Sequence, residues 1–311
     1  MGYTVDFFVK SNAGIAQLAL ECAYAFGSQY CTIDPEGPFF PAYFSNSVGV
    51  DGEANVDVFP TDFRAYGEPE TYKGTAVEKF DFRIQVEFSR KTLNAVGIDG
   101  ADDLGYRLYS RFLKCARIER PSVYTVRDGT RISAVFLPSA GNRIVRPPKF
   151  NDAPELRSEL SIPEVVEFRE AQVDLSQYEE AICIMRSRGT SFHIYPLLSD
   201  GSRKPAPPEA LLELDSETEP LLGEVIAAIL WRSATATAGE TEFYERNTDN
   251  DPLEGDGTDQ HFELRLNRGI ISVVPIVEES VPPKDSDEPV YSGRLPESHQ
   301  QLGEIAKTAV Q

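Results

Sequence analysis

The chain has 311 residues, 41% of them hydrophobic, and a formal net charge of −20. That length suits one large domain or two ordinary ones, and that apolar share supplies a core. The charge disfavours wrapping of the whole surface by nucleic acid. No apolar run approaches the ~20 residues needed to cross a bilayer, and the start of the chain lacks the basic and apolar regions of a secretory signal.

Taken in order, Tyr3 to Val9 alternates as an opening strand. Asn12 offers a helix cap. Ile15, Leu18, Ala19, Cys22, Ala23 and Phe26 follow at helical spacing, and Gly27 is a stop signal. Residues 28 to 76 are rich in Pro, Gly, Asp and aromatics, which reads as loops with short strands around 39–50 and 55–59. The clearest strand is 80–88: Phe80, Phe82, Ile84, Val86 and Phe88 share one face. Asp81, Arg83, Gln85 and Glu87 form a polar face, expected to meet water or a polar partner. Asp102 and Asp103 suit a helix N-terminus, with Leu104, Leu108, Phe112, Cys115 and Ala116 as its stripe. Asp128-Gly129 between two apolar runs predicts a hairpin.

Five prolines between 138 and 163 mark a linker. Beyond it, 165–173, 181–185 and 192–198 read as strands, the last two joined by a turn at Arg188-Gly189. Residues 205 to 231 are helical in pattern, broken by Pro220, with Leu221, Leu222, Val225, Ile226, Ile229 and Leu230 as the apolar face. Residues 261–266 and 270–277 are again strand-like, with Pro275 pointing to an edge or bulge. The sum is an α+β fold: antiparallel sheets with a few covering helices, in two lobes. The expected division is an N-terminal lobe 1–137, a Pro-rich linker 138–163, a C-terminal lobe 164–280 and an extended acidic arm 281–311.

Linear catalytic motifs are missing: no phosphate-binding loop, no nucleophile elbow and no dinucleotide-binding turn. No cofactor or metal site is therefore expected. The four cysteines form no Cys-x-x-Cys pair, which points to free thiols rather than a disulfide scaffold or zinc finger. His193 and His261 lie in predicted strands and would form an acid–base pair only if those strands were neighbours; Ser191 shares the strand face of His193. Asn247 to Asp259 holds five carboxylates, Asp249, Asp251, Glu254, Asp256 and Asp259. Their spacing fails the EF-hand pattern, so a solvated acidic loop is expected.

The most informative feature is a charge inversion. Residues 107 to 149 carry ten basic side chains against Glu119 and Asp128, a net +8, so the remainder carries −28. Arg107, Arg111 and Lys114 share a helical stripe, and Arg127 and Arg131 flank the predicted hairpin turn. These five are the candidate partner-binding residues, set against the reading that they are a solvated face paired with the acidic rest of the fold. A basic patch on an acidic chain docks onto acidic protein surfaces, a second copy included. The expected function is a non-enzymatic structural or interaction subunit of a larger assembly, for example a phage or contractile-particle component, cytoplasmic or in a virion, with no membrane partner. An acidic immunity- or antitoxin-like inhibitor of a basic toxin or nuclease is one alternative. An enzyme acting on an anionic substrate at the basic window is another. Nucleic acid is a less favoured partner.

Overall fold

In the computed structural model, the described residues are 2–11, 13–34, 37–45, 51–60, 81–89, 119–128, 131–139, 143–145, 175–237, 253, 259–276 and 288–310. The chain is α+β and divides into two compact units. One is Met1–Gly27 with Glu36–Glu170; the other is Ser28–Pro35 with Ala171–Gln311. The expected helix at 102–116, the strand at 165–173 and most of the 138–163 linker lie outside the described residues.

The first unit opens with β1 (Gly2–Lys10) and α1 (Ile15–Ala25). The helix starts at Gly14 with no side-chain cap, rather than at Asn12. It stops where Gly27 takes φ +72°, a conformation that favours glycine. Between these lie Leu18, Ala19, Cys22, Ala23 and Phe26, all buried. Within 28–76, read from sequence mostly as loop, the chain forms β2 (Tyr30–Ile33), which belongs to the second unit, then β3 (Phe39–Ser45) and β4 (Asp51–Pro60).

The alternating stretch is β5 (Phe82–Ser89), followed by β6 (Glu119–Asp128), β7 (Arg131–Ser139) and β8 (Arg143–Val145). Asp128 pairs with Arg131, so the Asp-Gly dipeptide is a hairpin turn as expected. The strand order in this unit is β3-β4-β5-β1-β6-β7-β8, every pair antiparallel. Its apolar face buries Phe7, Val56, Val58, Ile84, Val86 and Phe88, with α1 packed on β3 and β4 and the Phe26 and Phe40 rings 6.1 Å apart.

On the polar face of β5, Arg83 meets a polar partner, one of the two outcomes expected of that face. Arg83 is buried, not solvated, because its Nε donates to the buried carboxylate of Asp6 at 3.1 Å. A charge leaves water only beside a partner.

The second unit adds β9 (Glu180–Arg188), β10 (Ser191–Leu197) and β11 (Glu209–Glu213). The β9–β10 hairpin turns at Gly189, φ +61°, as the sequence indicated. The segment 209–213 is a strand rather than the start of a long helix. The helix proper is α2 (Leu222–Thr235). Then come β12 (Gln260–Asn267), β13 (Ile270–Pro275), β14 (Tyr291–Arg294) and α3 (His299–Val310). The last two stand in the stretch expected to be an extended arm.

The order in this unit is β14-β13-β12-β9-β10-β11-β2. Its pairs are antiparallel except β11 with β2, which are parallel. Pro275 sits on β13 past the last residue paired with β14, where no ladder donor is required of it.

One face of this sheet carries Met185, Ile194, Leu212, Leu264 and Val273, all buried, and α2 packs on β9, β10 and β11. Leu222, Val225, Ile226, Ile229 and Leu230 of α2 are fully buried, each worth roughly 1.5–3 kcal/mol in transfer from water. Ser233 ties the helix down: its hydroxyl donates to the Leu197 carbonyl at 2.6 Å and accepts from the Ile182 N–H at 2.8 Å. Helix α3 docks on α2 through glycine. A Cβ on Gly223 would lie 1.7 Å from the His299 carbonyl oxygen, and one on Gly303 would lie 3.0 Å from Gly223 N.

Candidate functional site

The face of the second sheet turned away from α2 gathers charge that is scattered in sequence. Side chains opposite one another in adjacent strands share a face, so the register defines rows. One row runs Thr32, Leu211, His193, Arg186, His261, along β2, β11, β10, β9 and β12. The next runs Tyr30, Glu209, Tyr195, Ile184, Glu263, Val274.

His193 and His261 are thus on one face and in one row, but β9 separates their strands. Two strand spacings, roughly 10 Å, and the Arg186 side chain stand between them, so they do not form a direct acid–base pair. Ser191 is in the next row, opposite Arg188.

Three carboxylates organise the cations. Asp259, just before β12, receives Arg186 Nη2 at 2.7 Å and Arg188 Nε at 2.7 Å, with His261 Nε2 at 3.8 Å. The hydrogen bond from Arg188 is the main cause holding its carboxyl at about 2; burial opposes this, and Arg186 adds to it. Arg188 also donates to the Leu253 carbonyl at 2.8 Å. Glu263 is fully buried and meets two guanidiniums, Arg203 from the β10–β11 loop and Arg265 from its own strand. Those guanidinium side chains are 28% and 30% exposed. Glu209 meets Nε2 of the buried His193, whose Nδ1 has no hydrogen-bond partner among the described residues. The His193 ring lies 5.1 Å from that of Tyr195.

The first unit holds a smaller polar cluster. Arg83 bonds Asp6 and Gln85, and Gln85 donates to Glu87 at 2.7 Å. Asp57 of β4 lies opposite Gln85. Burial, reinforced by Glu87 and opposed by Arg83, pushes its carboxyl up to about 6.

Of the basic residues singled out from sequence, Arg107, Arg111 and Lys114 lie outside the described residues. Arg127 is the residue before the end of β6, opposite Thr4 and Ile132, and Arg131 begins β7 opposite Asp128. Arg186, Arg188, Arg203 and Arg265 were not singled out. Of the acidic stretch, Asp259 spends its carboxylate on arginine. Among the described residues, no group of three or more His, Cys, Asp or Glu is placed to hold a metal ion, and no helix is long and apolar enough to cross a membrane. Cys22, Cys31 and Cys183 are buried, and burial pushes the Cys31 and Cys183 thiols up.

No family model matches the chain, and no curated protein matches it. Among solved structures it is similar to a protein of unknown function from Neisseria meningitidis, 15% identical, over 43% of this chain and 95% of that one, with a TM-score of 0.32. At that level the likeness bears on neither mechanism nor partner.

Proposed function

We propose that the protein is a non-enzymatic interaction subunit of a larger assembly, docking arginine-bearing surfaces onto acidic protein surfaces, those of other subunits included. One observation carries this reading: four arginines on a single sheet face, each held in place by a carboxylate. A guanidinium pre-set by an internal partner loses less freedom on docking. The +8 window with Arg127 and Arg131 at its hairpin supplies a second basic surface of the same kind. The two-lobe arrangement belongs to this reading, one lobe for each basic surface.

The test is solution mass at low and high salt. Assembly that falls apart as salt rises supports the reading, because exposed charge attraction is screened over roughly 8–10 Å at physiological ionic strength. Arg127→Glu with Arg131→Glu should weaken that assembly with little change in melting temperature. A monomer at both salts, at tens of micromolar protein, overturns it.

A second reading, an enzyme acting on an anionic substrate, is favoured by the buried, unpartnered Nδ1 of His193 in a row with Arg186 and His261. Calorimetric titration with inorganic phosphate decides between them: saturable binding lost in His193→Ala supports the enzyme, and no heat removes it.

A further inference from the structure

Among the described residues β14 is the outermost strand of the second unit's sheet. Leu295 N–H donates to the Gly269 carbonyl at 2.8 Å, and the register runs Ile270 opposite Arg294 to Val273 opposite Tyr291. Tyr291 and Gly293 therefore turn their backbone groups to β13. By alternation Ser292 and Arg294, both exposed, turn N–H and C=O away from the sheet. Such an edge is a template for one more strand.

The two sides of this edge differ in chemistry. On the helix side a groove of about 700 Å³ runs between β14 and α3, apolar along Val290, Tyr291, Pro296, Ile305 and Ala309 and lined also by Arg294 and Glu304. On the other side Ser292, Ser272 and Arg265 form one row, the two hydroxyls 3.3 Å apart, with Arg294 in the next row. Arg265 and Arg203 share the single carboxylate of Glu263, so this side carries excess positive charge. The acid in Arg294's own row is Glu180, three strands and roughly 14 Å away. Val290 and Ile270 flank the edge, 55% and 49% exposed.

We propose that β14 receives an extended segment of a partner protein in which apolar and acidic residues alternate. Backbone pairing with Ser292 and Arg294 aligns the segment. Its apolar side chains enter the groove beside α3, and its carboxylates pass over Ser292 to Arg294. Charge complementarity selects this occupant: a basic segment would face Arg294, and an all-acidic one would place charge against Ile305 and Ala309. The inference rests on the reading above only in taking the partner to be a protein.

The probe is a fluorescein-labelled decapeptide of alternating valine and glutamate, followed by anisotropy on the full chain. Saturable binding is expected, with at least about tenfold weaker binding for the peptide carrying lysine in place of glutamate. Ser292→Pro removes an outward N–H and leaves the β13 ladder intact, so it should lose at least about tenfold in affinity at an unchanged melting temperature. Arg294→Glu should show a similar loss, and a peptide N-methylated at alternate residues should not bind. Equal binding of the glutamate and lysine peptides, or no binding at millimolar peptide, overturns the proposal. So does a Ser292→Pro variant that loses self-association by light scattering instead of peptide affinity, because the occupant is then a second copy. A chain that is monomeric at every salt yet binds the glutamate peptide keeps this inference while sinking the self-assembly part of the reading above.

Discussion

The two units set carboxylates on the polar faces of their sheets, and they do so with opposite arithmetic. In the first, Asp6 is paired with Arg83, and Asp57 has Glu87 as well as Arg83 within electrostatic reach. In the second, Asp259 bonds two guanidiniums, and so does Glu263. The outcome follows the ratio: Asp57 is pushed up to about 6, and Asp259 is held at about 2. Burial alone raises a carboxyl, so the cations within reach explain why Asp57 and Asp259 move in opposite directions.

The largest effect is expected where the ion pair is fully buried. Asp6→Ala removes the carboxylate paired with the buried Arg83 and should cost the first unit roughly 3–5 kcal/mol. Hydrogen exchange in β1 and β5 would report it, and adding Arg83→Met should restore part of the loss. Unchanged protection in Asp6→Ala would show that the pair is dispensable. Glu263→Gln is the matched change in the second unit. Arg203 and Arg265 are about a third exposed and can swing to water, so the expected cost is smaller, about 1–2 kcal/mol in denaturant unfolding followed through Trp231. An equal or larger cost than Asp6→Ala would break the comparison.

Asp57 predicts a pH dependence. Its folded pKa lies above the unfolded value, so its favourable contribution is complete below about pH 4 and lost as pH rises through about 6. Asp57→Asn should therefore stabilise the first unit at pH 7, by about 1 kcal/mol after allowance for solvent screening, and flatten the profile between pH 4 and 6. A variant as pH-dependent as the parent would refute the assignment. Asp259 should give the smallest and opposite effect. Its folded pKa is depressed, so its contribution is present above about pH 4 and lost as pH falls through about 2. Acid unfolding of the parent and of Asp259→Asn should converge near pH 2; profiles that stay apart there would contradict it.

The strands were legible where one face is apolar, as in 80–88, 181–185 and 261–266, because period-two burial leaves its mark on sequence directly. Whether Arg83 meets water or a polar partner stayed open, since alternation reports which face a side chain takes and not what covers it. Residues 209–213 were absorbed into a helical pattern because Leu211 and Leu212 continue the spacing that Leu221 and Leu222 begin. β2 is four residues flanked by turn-formers, too short to show a period. The arginine face could not be read at all. Arg186 and Arg188, Arg203, and Arg265 stand in three separate segments, and only the β9–β12 register and the reach of the β10–β11 loop bring them together.

β2 has a consequence for how the chain comes to be. Tyr30 pairs in parallel with Glu209, and the Glu209 N–H donates to the Gln29 carbonyl at 2.7 Å. During synthesis this strand leaves the ribosome long before β11 exists, and it must wait, unpaired, for a partner encoded far downstream. Contacts of such separation form late and slowly. Residues 171–311 expressed by themselves would lack it, leaving β11 as a bare margin, so a fragment cut at the middle of the chain should be sticky where the whole protein is not. Supplying a peptide covering 28–35 in trans should restore its solubility.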